Sequence, residues 1–309
     1  MTQSKVILIG APVDSGKDRP GCLMGPDAFR VAGLSAALTA LDHDVEDWGN
    51  LIADDATAPD SLPSHLFQPA ETIGWTSALA REAERAMDLG LPVFLGGDHS
   101  VSLGSITGVA NHAARNSRPQ FVLWLDAHSD FHTPFTTTSG NLHGTPLGYV
   151  TGRDGFHGFP EVRNPVPLEN ICLVGLRSVD PEERGVLQDA KTRYYDMRAI
   201  DEQGVARPIS DFLDHVAKSG GALHVSLDVD FLDPSFAPAV GTTVPGGATI
   251  REAHLAMEII CDSGLMTSLD LMELNPFLDE RGRTANVMVE LAASAMGRRV
   301  FDRPTRAFG

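Results

Sequence analysis

Short apolar runs alternate with longer stretches of helical periodicity along almost the whole chain, and this alternation restricts the fold more than any other feature. Runs of strand character lie at residues 5–9, 44–48, 92–95, 121–125, 171–174, 192–196, 223–228 and 267–271. Segments with helical spacing lie at 26–41, 70–89, 101–114, 181–189, 208–218, 250–261 and 284–296. Strands that alternate with helices are joined by crossovers, so they run parallel and carry helices on both faces. The pattern predicts an α/β fold of three layers, αβα, around a central, mostly parallel eight-stranded sheet.

The chain has 309 residues, enough for one α/β domain with a sizeable core, and the expected organisation is a single domain over 1–309. Gly- and Pro-rich stretches at 10–25, 53–63, 152–167 and 234–247 fall between expected elements, so they read as loops of that domain. Loops of such length are often functional. The formal net charge of −17 repels phosphate backbones and anionic lipid, which argues against nucleic-acid or membrane partners and favours a cationic small molecule. Cys22, Cys172 and Cys261 are widely spaced and form neither a disulfide framework nor a CxxC motif. Residues 1–10 lack the features of a signal peptide, and no run approaches the roughly 18 apolar residues of a membrane span. The expected compartment is the cytoplasm.

Chemistry-bearing residues gather where the apolar runs end. Asp126, His128 and Asp130 follow the run 121–125, spaced so that an extended backbone would project all three to one side. Asp228 and Asp230 follow 222–227, His99 closes the segment Gly96-Gly-Asp-His, and Glu273 follows 268–272. An isolated Asp at a strand end is most often a turn former or a helix cap. Four strands ending in acidic or His-bearing clusters are a different matter, because ligands of parallel sheets collect at the carboxyl ends of strands. Carboxylates outnumber imidazoles and no thiolate takes part, which favours a harder ion such as manganese over zinc. The four aspartates could balance two divalent ions and attract a cationic substrate, and the ions would acidify a bridging water.

Residues 126–144, DAHSDFHTPFTTTSGNLHG, resemble the central motif of the arginase (ureohydrolase) family. So do GGDHS at 96–100, SLDVDFLDPS at 226–235 and MELNP at 272–276, while IGAP at 9–12, GPDAFR at 25–30 and GLRSVDP at 175–181 resemble further family segments. The likeness runs in order along nearly the whole chain. It implies the arginase-like fold, a trimer or hexamer, and two Mn2+ ions per chain. By resemblance, His99, Asp126, Asp130 and Asp228 hold one ion; His128, Asp126, Asp228 and Asp230 hold the other, with Asp126 and Asp228 bridging.

The resemblance also implies a reaction, in which a metal-bridging hydroxide attacks a guanidinium carbon. Glu273 would pair with the guanidinium, Asp130 would carry the proton of the nucleophile to the leaving amine, and His143 would act as the proton shuttle. Thr137 and Ser139 stand where the family contacts the substrate α-carboxylate, Asp180 where it accepts the α-amino group, and Thr242 at the active-site threonine. His132 replaces an asparagine that touches the carboxylate in many arginases, and it could still donate a hydrogen bond. Ser178 replaces an acid often found two residues before Asp180. These positions favour L-arginine, giving L-ornithine and urea. The alternatives are another ureohydrolase (agmatinase, guanidinobutyrase or another guanidino-acid hydrolase, or formimidoylglutamase), a one-zinc deacylase of the histone-deacetylase type, and a guanidino-compound sensor. Asp180, just before Pro181, could instead be a helix cap. Trp124 and Ser226 read as core-facing strand residues, Met257 and Met288 as packing, and Arg298, Arg299, Arg303 and Arg306 as solvated or in contact with a neighbouring subunit.

Overall fold

The computed structural model describes residues 4–189 and 191–299. Eight strands appear where the apolar runs predict them: β1 (Lys5–Ala11), β2 (Asp44–Asn50), β3 (Leu91–Gly96), β4 (Gln120–Leu125), β5 (Ile171–Leu176), β6 (Arg193–Asp196), β7 (Ala222–Asp228) and β8 (Met266–Met272). Every pairing is parallel, in the order β2-β1-β3-β8-β7-β4-β5-β6. The order has a direct consequence. The four strands that end in chemistry-bearing clusters, β3, β8, β7 and β4, are neighbours in the middle of the sheet.

The helices are α1 (Gly25–Val31), α2 (Leu34–Thr39), α3 (Pro69–Met87), α4 (Val101–Arg115), α5 (Pro146–Val150), α6 (Arg184–Leu187), α7 (Met197–Gln203), α8 (Ala206–Ser219), α9 (Ile250–Ser263) and α10 (Arg283–Ala295). Alternate strand residues face opposite layers. Val6, Leu8, Leu123, Leu125 and Val225 pack with Phe212 of α8, Met257 of α9 and Met288 of α10. Ile7, Ile9 and Phe94 pack with Trp75 and Leu79 of α3 and Val101 and Val109 of α4, and Val122 and Trp124 pack with Leu103 and Ile106 of α4. Both faces are apolar, which is why the central runs look continuous in sequence.

Two expected helices differ. The segment 26–41 is not one helix but α1 and α2, broken at Gly33, whose φ of 87° lies in the left-handed region. The segment 181–189 is helical only over α6. The short α5 and α7 escaped the periodicity, although Asp196 caps α7 by accepting from the Ala199 N–H at 2.8 Å. Arg298 and Arg299 are tied to their own chain, through the Ala37 carbonyl at 3.3 Å and the Asp262 carboxylate. Arg303 and Arg306 lie outside the described residues.

Candidate active site

The carboxyl ends of β3, β8, β7 and β4 form the floor of a cavity of about 280 Å³. It is lined by every residue singled out above for a metal or substrate role: His99, Asp126, His128, Asp130, His132, Thr137, Ser139, His143, Asp180, Asp228, Asp230, Thr242 and Glu273. The backbone must pass close beneath it. A Cβ on Gly97, after β3, would collide with the carbonyl of Val13, so only glycine lets the two loops meet. Asp130 (φ 47°) and Glu273 (φ 67°) adopt left-handed backbone conformations that cost non-glycine residues free energy and that cluster at functional sites.

The segment 126–130 does not converge by continuing β4, as the spacing had suggested. The strand ends at Leu125, and the chain turns, with the His128 N–H donating to Asp126 Oδ1 at 2.6 Å. The turn brings the imidazoles to the carboxylates. His99 Nδ1 lies 2.8 Å from Asp228 Oδ2, 3.1 Å from Asp126 Oδ2 and 3.5 Å from Asp130 Oδ2. His128 Nδ1 lies 3.0 Å from Asp230 Oδ2 and 3.4 Å from Asp126 Oδ1. Backbone donors hold the acids in place: the Ala127 N–H donates to Asp230 Oδ1 at 3.0 Å, and the Asp230 N–H to Asp228 Oδ1 at 2.7 Å.

These residues fit a metal. One ligand atom each from His99, Asp126 and Asp130, and from Asp126, His128 and Asp230, can gather within 4.8 Å, so two such groups share Asp126. Among the described residues, His99 Nδ1 and Asp126 Oδ2 are buried and close to each other, at 3.1 Å, yet neither is in hydrogen-bond geometry with any protein atom. Such orphans are expensive unless something else completes them. The charges agree. Burial, then the neighbouring acids, raise the carboxyls of Asp228 and Asp230, and burial followed by Asp126 raises that of Asp130. Burial also opposes the charge of Asp126, but His128 and His99 hold its carboxyl below the ordinary range. A crowd of desolvated carboxylates disfavours its own ionisation, and a bound cation removes that penalty.

Trp124 and Ser226, expected only as core, support this cluster. The Trp124 ring stacks on His99 at 4.1 Å and 11°, and Ser226 Oγ meets His99 Nε2 at 2.9 Å. With Nε2 engaged, the ring is fixed so that Nδ1 faces the carboxylates.

At the other end of the cavity the geometry is set by loops. Thr137 Oγ1 and Ser139 Oγ lie 3.2 Å apart, and Thr242 Oγ1 donates to Asp230 Oδ2 at 3.4 Å. His132 is not a free donor toward the cavity. Its Nδ1 lies 3.1 Å from Thr136 Oγ1, and its Nε2 lies 3.2 Å from Asp180 Oδ2. Asp180 therefore engages His132 with its side chain and does not cap the following helix. Buried Glu183 completes this corner, accepting from the N–H groups of Phe131 (2.9 Å) and Asp180 (3.2 Å).

Glu273 joins the two ends. Its Oε1 accepts from the His99 N–H at 2.8 Å and lies 2.9 Å from His143 Nδ1. Its Oε2 accepts from Lys17 Nζ at 2.5 Å. Burial opposes the charge of Glu273, but Lys17 and His143 hold its carboxyl well below the ordinary range. Sequence reading missed Lys17 and Glu183. The only trace of Lys17 was its place in the Gly-rich stretch 10–25, and that of Glu183 its place just after the GLRSVDP segment.

Comparison with known proteins places this geometry among relatives. The family model described as Arginase family matches residues 4–297. A curated relative from Agrobacterium fabrum named arginase is 58% identical over 305 residues, covering 97% of this chain and 93% of that protein. Another of that name, from Brucella melitensis, is 56% identical over 303 residues, covering 97% and 99%. The solved structure of arginase from Bacillus caldovelox superposes with a TM-score of 0.87 at 35% identity, covering 96% of this chain and all of that one.

Proposed function

Since the chain belongs to the arginase family, we propose that it hydrolyses the guanidinium group of L-arginine to give L-ornithine and urea. The observation that carries this reading is the position of Glu273, an ionised carboxylate on the wall of the same cavity as the His–Asp cluster. A planar fork of N–H donors is the natural partner of such a carboxylate.

Two manganese ions are the proposed cofactor, one with His99, Asp126, Asp130 and Asp228, the other with His128, Asp126, Asp228 and Asp230. When bound, they would supply Lewis acidity that makes water nucleophilic near neutral pH. The remaining work belongs to side chains. Glu273 holds the guanidinium by its N–H edge and aims its carbon at the acidic floor. Asp130 accepts the proton of the attacking water and delivers it to the substituted nitrogen as the bond from that nitrogen to the guanidinium carbon breaks. His143 on the cavity wall exchanges protons with solvent. Asp180 accepts from the α-amino group, while Thr137 and Ser139 donate to the α-carboxylate. Thr242 steadies Asp230. His132 acts through Asp180, which it meets at 3.2 Å.

The enzyme is further proposed to work as a single domain in a cytoplasmic homo-oligomer, a trimer or hexamer, without nucleic-acid or membrane partners. No helix among the described residues is long and apolar enough to cross a membrane. The test is urea release by manganese-loaded protein from arginine, agmatine, guanidinobutyrate and guanidinopropionate. Preference for arginine is expected. Preference for agmatine would overturn the roles given to Thr137 and Ser139, and urea from none would overturn the reaction itself.

A further inference from the structure

Lys17 is a buried cation that the mechanism above leaves unused. It lies in the loop between β1 and α1, with Lys17 and Glu273 side chains each about 2% exposed. Its ammonium donates to Glu273 Oε2 at 2.5 Å and to Cys22 Sγ at 2.9 Å. Burial is the largest influence and opposes its charge, but Glu273 first, with the neighbouring Cys22 and Asp98, together outweigh burial and raise the ammonium above its ordinary range. The Cys22 thiol is itself pushed well up by burial, so the carboxylate that Lys17 touches, that of Glu273, is its ion-pair partner.

The partners of Glu273 divide by mobility. The His99 donor is backbone, and Lys17 is sealed from solvent, so both are fixed. His143 lines the cavity and is 15% exposed, so it is the partner that an incoming guanidinium can displace. The carboxylate is thus tied from behind and exchangeable in front. Without Lys17, Oε2 would keep only the Cys22 thiol, a weak donor 3.7 Å away, and the carboxylate would turn toward His143.

We propose that Lys17 is a positioning residue of the substrate site, which holds Glu273 by Oε2 so that the carboxylate meets the guanidinium already oriented. This deepens the hydrolase reading and rests on Glu273 being the guanidinium acceptor. Because orientation serves the bound substrate and the transition state alike, loss of Lys17 falls on KM more than on kcat.

The experiment compares Lys17→Met, Lys17→Gln and Lys17→Ala with the wild type in manganese-loaded protein, using whichever guanidino substrate the wild type turns over best. Thermal unfolding and manganese content are recorded alongside. Lys17→Met, which removes charge and donor, is expected to raise KM about tenfold with kcat within about threefold, as for a lost charge-assisted hydrogen bond. Lys17→Gln, which keeps a donor, is expected to fall between Met and wild type, and it decides the matter where Lys17→Met does not fold. Propylammonium should lower the KM of Lys17→Ala severalfold, whereas 1-propanol should not. An unchanged KM in a folded variant, a fall confined to kcat, or equal rescue by the alcohol would overturn the proposal. Binding of guanidinium chloride, read by calorimetry, must weaken in parallel with KM. That readout separates failure of this inference from failure of the hydrolase assignment, which shows as absence of urea from the wild type.

Discussion

The two ends of the cavity are built from different materials. The inner end stands at the tips of β3, β4 and β7, and its aspartates are almost wholly buried and braced by backbone N–H groups. The outer end is made of the loops around 132–143 and 178–183, where the Asp180 side chain is 59% exposed and its carboxylate is held by His132. The sheet therefore fixes the reacting centre, while loops that can vary without disturbing the core present the groups that choose the substrate. Mutations at the two ends should accordingly fail in different ways.

The largest effect is expected from Asp126→Ala. It removes the carboxylate common to both ligand groups, so urea release and manganese content should both fall by more than about 100-fold, beyond the loss usual for residues that merely orient a ligand. Elemental analysis of the purified variant checks this; an outer-end residue that abolished metal content equally would erase the contrast.

Next is the pH dependence of the metal-free protein. The carboxyls of Asp130, Asp228 and Asp230 and the imidazoles of His99 and His128 all titrate higher in the fold than free. The folded state then binds more protons than the unfolded one, so stability declines as pH rises from the ordinary carboxylate range through the raised values. Asp126 and Glu273, with their carboxyls lowered, work in the opposite direction, but only below the ordinary carboxylate range. The melting temperature of chelator-treated protein should fall between about pH 5 and pH 9, and manganese should restore more of it at the alkaline end. A melting temperature that climbed over this range would contradict the picture of crowded, desolvated acids.

Smaller effects separate the ends more finely. Ser226→Ala frees the His99 ring and should weaken manganese affinity by about tenfold while leaving the KM for arginine unchanged at saturating metal. Asp180→Ala should do the reverse, raising KM for arginine about tenfold with metal affinity untouched, as expected when binding is lost equally from ground and transition states. Metal titration and steady-state kinetics on the two variants give a crossed pattern if the division is real.

The same division governs how much of the molecule could be read from sequence. The six inner strands were legible because both faces of the sheet are buried there and the apolar runs are dense, whereas the edge strands β2 and β6 are partly exposed and carry charged residues. The inner cluster was legible because its acids directly follow those runs. The outer end was readable only through resemblance to a known family. Even there His132, expected to face the substrate, turns out to have both ring nitrogens engaged by Thr136 and Asp180. Lys17 was invisible for a related reason. A lysine in a Gly-rich loop looks solvated until the fold carries it to Glu273, 256 residues away in sequence. The break between α1 and α2 depends on one backbone angle at Gly33, and apolar periodicity continues across it.

The central claim is that the His–Asp cluster at the strand tips is the metal centre of an arginine hydrolase. Its most direct test is to strip the protein with chelator and titrate manganese back while following urea release from L-arginine. The account predicts background activity without metal, a rise with each addition, and saturation at two equivalents per chain. Full activity in the stripped protein, saturation at one equivalent, or no urea at any manganese concentration would contradict it.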